Sequence, residues 1–141
     1  MSEAEAKSSK ILVVDDHYQI QRLCGAVLQR CGHKVVICSE IEEAVNMARK
    51  VVPNLIVLDF KCDIYMNNDG PGIREGLMSL ALIQQQSELK GVPIVMMSAN
   101  DGTTTRPRVL AAGAAGYLEK PFSRQELTQT ISELLNQKLP G

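Results

Sequence analysis

The chain has 141 residues, 45% of them hydrophobic and 22% charged, which fits one globular domain with a single buried core. Lys and Arg total 15 and Asp and Glu 16, so the net charge of −1 attracts neither a nucleic-acid backbone nor an anionic membrane. The longest apolar runs, residues 11–14 and 55–58, fall far short of the roughly 20 residues that span a bilayer, so no transmembrane helix is expected.

Residues 1–9 lack the apolar core of a signal peptide and read as a disordered polar lead, which predicts a cytoplasmic protein. The domain proper is expected over 10–138, with 139–141 as a tail. Short β-rich runs at 11–14, 35–37, 55–58, 94–97 and 116–118 alternate with segments of helical spacing. After the first run, Ile20, Leu23, Val27, Leu28 and Cys31 share one helical face, and Gly32 stands where a glycine ends a helix. After the second, Ile41, Ala44, Val45 and Ala48 repeat at helical spacing, with Ser39 as N-cap and Pro53 beyond the end.

Residues 60–72 then break into a loop rich in Asn, Asp, Gly and Pro, before Ile73, Leu77, Leu80 and Ala81 resume a helix. A short helix is expected through 109–112. The last is marked by Ser123 and Glu126 at capping-box spacing, with Leu127, Ile131, Leu134 and Leu135 as its buried face. Cys24, Cys31, Cys38 and Cys62 form no Cys-x-x-Cys pair, and neither His17 nor His33 stands at a zinc-ligand spacing from them. Cys24, Cys31 and Cys38 are read as small reduced core fillers.

Five strands alternating with five helices define an α/β fold, an all-parallel doubly wound sheet covered on both faces. The common order for five strands is 2-1-3-4-5, and such sheets bind ligands at the carboxyl ends of the strands. There the sequence offers Asp15 and Asp16 after the first strand, Asp59 after the third, Ser98 after the fourth and Lys120 after the fifth. Taken singly, these are a helix cap, a turn residue or a solvated surface charge. Together, three converging carboxylates call for a cation, and a hard divalent ion such as magnesium suits them and bridges to phosphoryl oxygens. Lys120 and the Ser98 hydroxyl would hold the remaining oxygens of such a group.

ILVVDD at the first strand, LIVLD at the third, MMSA at the fourth and GAAGYLEKPF at the fifth resemble the receiver domains of two-component response regulators, including the single-domain chemotaxis regulator. The resemblance covers Lys10 to about Lys138. It implies a flavodoxin-like receiver fold in which Asp59 accepts a phosphoryl group. It also implies that Asp15, Asp16, Asp59 and the Lys61 carbonyl hold magnesium or manganese, and that Ser98 and Lys120 sense the phosphate. Tyr117 would be the aromatic that swings as Ser98 moves, Lys120–Pro121 a cis bond, and Lys61 and Asn100 the side chains that tune lifetime. The donor would be a sensor histidine kinase or a phosphotransfer protein. The output would be docking of an effector on the face made by the fourth helix, fifth strand and fifth helix, with a homodimer left open. The chain would then be no enzyme beyond slow self-dephosphorylation.

Departures from the family lie after the acceptor. Asp63 stands where a proline is usual, and Asp69-Gly70 falls three residues late, so the loop is enlarged. It is read as a tolerated insertion, a lid over the acyl phosphate or a kinase-docking element. Competing readings are a phosphorylation-independent pseudo-receiver acting as a binding module, a magnesium-dependent aspartyl-phosphate phosphatase and a flavodoxin-type carrier. The phosphatase lacks its Asp-x-Asp motif, and DDHYQI supplies no glycine-rich phosphate turn for the carrier.

Overall fold

Apolar runs without polar alternation, such as 11–14 and 55–58, are stable as strands when both faces are covered. In the computed structural model, which describes residues 9–60, 71–99 and 102–138, they become β1 (Lys10–Val14) and β3 (Leu55–Asp59). With β2 (Lys34–Cys38), β4 (Ile94–Ser98) and β5 (Gly116–Glu119) they form one parallel sheet in the expected order β2-β1-β3-β4-β5. Ile11 pairs with Leu55 and Val57 with Val95. The strands run slightly beyond their apolar runs, so Asp59 and Ser98 are the last residues of β3 and β4 and do not follow them.

Helices α1 (Tyr18–Arg30) and α5 (Arg124–Lys138) cover one face, packing Cys24, Leu28, Leu127 and Ile131 onto Ile11, Val13, Val57 and Met97. Helices α2 (Ile41–Val51), α3 (Pro71–Gln84) and α4 (Gly102–Ala111) cover the other, over Leu12, Val14, Ile56, Leu58 and Met96. Helix α1 ends as its glycine predicts. Gly32 sits at φ 94°, its N–H reaches the Gln29 carbonyl at 2.9 Å, and the His33 N–H reaches that of Leu28 at 3.1 Å. This closure puts Cys31 at the exposed C-cap position, so Cys31 is not the core filler expected. Cys24 and Cys38 are buried, and burial, with the nearby Asp15 charge, pushes the Cys24 thiol up to about 12. Cys62 lies outside the described residues.

Three local expectations are corrected. Ser39 does not cap α2; Glu40 holds that position, and the Ser39 hydroxyl accepts a hydrogen bond from the Gln21 amide at 3.2 Å. Helix α4 starts at Gly102, well before residue 109, because Pro107 and a threonine run disguise its start; proline inside a helix removes a backbone donor. Phe60 belongs to the core and Pro71 opens α3, so the loop expected over 60–72 is shorter at both ends; the remainder, 61–70, lies outside the described residues. A single 3-10 turn, Ser87–Leu89, lies between α3 and β4 and has no periodic signal in the sequence.

The capping box at α5 forms as expected. The Ser123 N–H donates to Glu126 Oε1 at 2.8 Å, and the Glu126 N–H donates to Ser123 Oγ at 3.0 Å. Ser123→Ala should lower stability by about 1 kcal/mol, seen as a lower urea midpoint at unchanged slope.

Candidate functional site

Side chains alternate along a strand, so the face that carries Ile11 and Val13 on β1 and Leu55 and Val57 on β3 also carries Asp15 and Asp59 at the carboxyl ends. Leu118 of β5 lies on the same face, and Lys120 follows it by two residues. The three side chains meet. Lys120 Nζ donates to Asp15 Oδ2 at 2.8 Å and to Asp59 Oδ1 at 3.0 Å. Asp15 and Asp59 are both buried, where an isolated carboxylate would be costly. Burial alone would push the Lys120 ammonium down, but its hydrogen bond to Asp15 and the charges of Asp59 and Asp15 outweigh burial and hold it above its usual value.

The other Asp15 oxygen is held from α1's side. Asp15 Oδ1 accepts the His17 backbone N–H at 2.7 Å and lies 2.8 Å from His17 Nδ1, while the Gln21 amide donates to the Asp15 carbonyl at 2.6 Å. Asp16 is about half exposed beside this group, with its Oδ1 3.4 Å from His17 Nδ1. One ligand atom each from Asp15, Asp16, His17 and Asp59 falls within a 4.8 Å cluster. Three carboxylates offset by one ammonium leave an excess of negative charge, and hard carboxylate oxygens open to water on one side fit a divalent cation. Asp59 Oδ2 is buried and accepts no hydrogen bond from the described residues.

Ser98 is fully buried at the end of β4, and its carbonyl accepts the Lys120 backbone N–H at 2.7 Å, tying the ends of β4 and β5 together. The Lys120–Pro121 bond is cis, as expected. Tyr117 is buried on the opposite face with Met96 and Val109, and it also lines a cavity of about 380 Å³ with Arg106, Phe122 and Glu126. Lys61 and Asn100 lie outside the described residues.

Sequence reasoning missed His17 and Gln21. Cysteine spacing says nothing of His17, whose partners are carboxylates; an Asp two residues before a helix N-cap bonds the i+2 backbone N–H, and that signal is readable. Among the described residues no helix is long and apolar enough to cross a membrane.

Comparison with known proteins agrees with this geometry. The family model for the response regulator receiver domain matches residues 11–132. The phosphate regulon transcriptional regulatory protein PhoB of Klebsiella pneumoniae is 31% identical over 131 residues, covering 93% of this chain and 53% of that protein. The chain thus spans about half the length of the curated relatives it matches. Chemotaxis protein CheY4 of Vibrio cholerae superposes with a TM-score of 0.74 at 28% identity, over 90% of this chain and 98% of that one. The receiver domain of sensor histidine kinase PA1611 from Pseudomonas aeruginosa PAO1, solved with a magnesium ion coordinated in its active site cleft, gives 0.73 at 26% identity over 92% and 98%. From the strand order, the buried lysine bridge and these matches together, the chain belongs to the response regulator receiver domain family.

Proposed function

We propose that the chain is a working phosphoacceptor, and that Asp59 takes a phosphoryl group from a phosphohistidine on a sensor histidine kinase or phosphotransfer protein. The observation that carries this reading is the Lys120 ammonium bonded at once to Asp15 and Asp59 at the buried strand ends. An Asp59 carboxylate oxygen attacks phosphorus, the new O–P bond forms as the donor's bond to phosphorus breaks, and the electron pair leaves with the donor. Lys120 exchanges its bond to the Asp59 oxygen for one to the phosphoryl group, and Ser98 donates its hydroxyl to another phosphoryl oxygen. Asp15, Asp16 and Asp59, with the Lys61 carbonyl, would hold magnesium or manganese, which supplies neutralising charge at the phosphoryl oxygens. The magnesium reported in the PA1611 receiver's cleft supports this.

Movement of Ser98 and Lys120 pulls on β4 and β5 through the backbone bond between them. Tyr117, one strand position before Leu118, carries this to the α4-β5-α5 face, where the cavity it shares with Phe122 and Arg106 offers an effector a foothold. Lys61 and Asn100 set how readily water reaches the acyl phosphate. Self-dephosphorylation is the only turnover in this reading, so the protein is a switch and no enzyme. The phosphatase and flavodoxin-type readings fall with family membership. The pseudo-receiver reading is disfavoured because the acidic set and Lys120 are assembled.

Intact mass after incubation with acetyl phosphate and magnesium tests the proposal. Wild type should gain one phosphoryl group, and Asp59→Asn, or wild type in EDTA, should gain none. A wild-type protein that stays unmodified would return the chain to the class of phosphorylation-independent binding modules.

A further inference from the structure

Resting on the reading of the acidic cleft as a divalent-cation site, we propose that His17 is a direct ligand there and that it tunes the site toward transition-metal dications, with nickel as the probe, relative to magnesium. Magnesium takes oxygen donors and holds its waters, whereas imidazole nitrogen suits nickel, copper and zinc. His17 contributes a nitrogen donor to a group otherwise made of carboxylates.

Spacing supports direct ligation. An ion about 2.1 Å from its ligands sets neighbouring donors about 3.0 Å apart in an octahedron and about 3.4 Å in a tetrahedron. His17 Nδ1 stands 2.8 Å from Asp15 Oδ1 and 3.4 Å from Asp16 Oδ1, so the ring already sits at ligand-edge distances from two carboxylates. A cation bound by both atoms would take the place of the direct contact between Nδ1 and Oδ1. Asp15 would keep its orientation, because the His17 backbone N–H still donates to Oδ1 at 2.7 Å and Lys120 still holds Oδ2.

Local structure aims the ring. His17 is the N-cap residue of α1, where Ser, Thr, Asp or Asn would use its side chain to cap the helix; its own makes no capping hydrogen bond. The extended backbone there, φ −88° and ψ 120°, with the N–H fixed on Asp15, turns the imidazole back over the acidic pair. His17 is 53% exposed and Asp16 52%, so water can complete the coordination sphere from outside while buried Asp15 and Asp59 close the inside.

Isothermal titration of nickel and of magnesium into wild type, His17→Ala, His17→Gln and Asp16→Ala tests this, with circular dichroism to check folding. His17→Ala and His17→Gln should each lower nickel affinity at least about tenfold. Magnesium affinity should stay the same or rise slightly in both, since magnesium takes oxygen donors and both variants remove only the ring nitrogen. Asp16→Ala should weaken both metals. Nickel affinity unchanged in the His17 variants, or falling in step with magnesium, overturns the role of His17 while leaving the cation site standing. If Asp16→Ala alters neither metal's affinity, the cleft is not the cation site and both readings fail.

Discussion

Lys120→Met should slow phosphoryl uptake from acetyl phosphate by about 100-fold or more, and in EDTA it should cost about 3 kcal/mol of stability. Both losses have one source. The ammonium is the donor that touches Asp15 and Asp59 together, and in the proposed transfer it would face the negative charge that gathers on the phosphoryl group. Met keeps an unbranched apolar side chain but leaves two buried carboxylates without the ammonium that bonds both. Because the deficit is electrostatic, added magnesium should restore more stability to the variant than it adds to wild type, by binding the native state at the same carboxylates. Urea melts in EDTA and in magnesium read the stability, and intact mass against time reads the uptake. Equal midpoints for the two proteins in EDTA would remove the ion-pair argument.

Gly76→Val should destabilise the protein by about 3 kcal/mol, and even Gly76→Ala should lower the urea midpoint. Glycine inside a helix normally gains up to about 1 kcal/mol on replacement by alanine, so the sign is reversed here. An added Cβ on Gly76 would fall 2.7 Å from Cγ of Phe60 and nearer still to Cδ1 and Cε1. The ring cannot step aside, since Phe60 is fully buried among Leu58, Leu80 and Ile83. Phe60 directly follows Asp59, so a displaced ring should shift the proposed acceptor as well and slow phosphoryl uptake. Phe60→Leu should cost less in a Gly76→Ala background than in wild type, because it vacates the space the methyl needs. Additive losses in that pair would show that α3 yields and the ring does not.

Much of this was readable from residues because the signals were periodic. The unbroken apolar runs of β1 and β3 announced a sheet covered on both faces, and polar residues ending four separate runs announced where its ligand edge lay. The Ser123–Glu126 spacing fixed the start of α5 to the residue. Signals failed where two structures share one local pattern. Pro107 reads as a break yet sits inside α4, and the Asn- and Asp-rich stretch before Pro71 masked a helix start. Ser39 looks like a cap, but the chain turns one residue later, and its hydroxyl serves Gln21. At the site, Lys120 and the aspartates were found through their strand-end positions. The neighbours that hold Asp15, His17 and Gln21, bond to it from two and six residues along the chain, a local pattern that adds nothing to hydrophobic periodicity.

The strand order also distributes freedom unequally across the switch. Asp59 ends β3, which is flanked by β1 and β4, whereas Tyr117 and the approach to Lys120 lie on β5, which pairs with β4 alone. Opening β3 means parting two ladders and both cores, and opening β5 means parting one. In the proposed reading the chemistry of Asp59 is thus anchored on an interior strand and its response is carried by an edge strand. A receiver arranged this way can transmit strain outward while the geometry of its proposed nucleophile stays fixed.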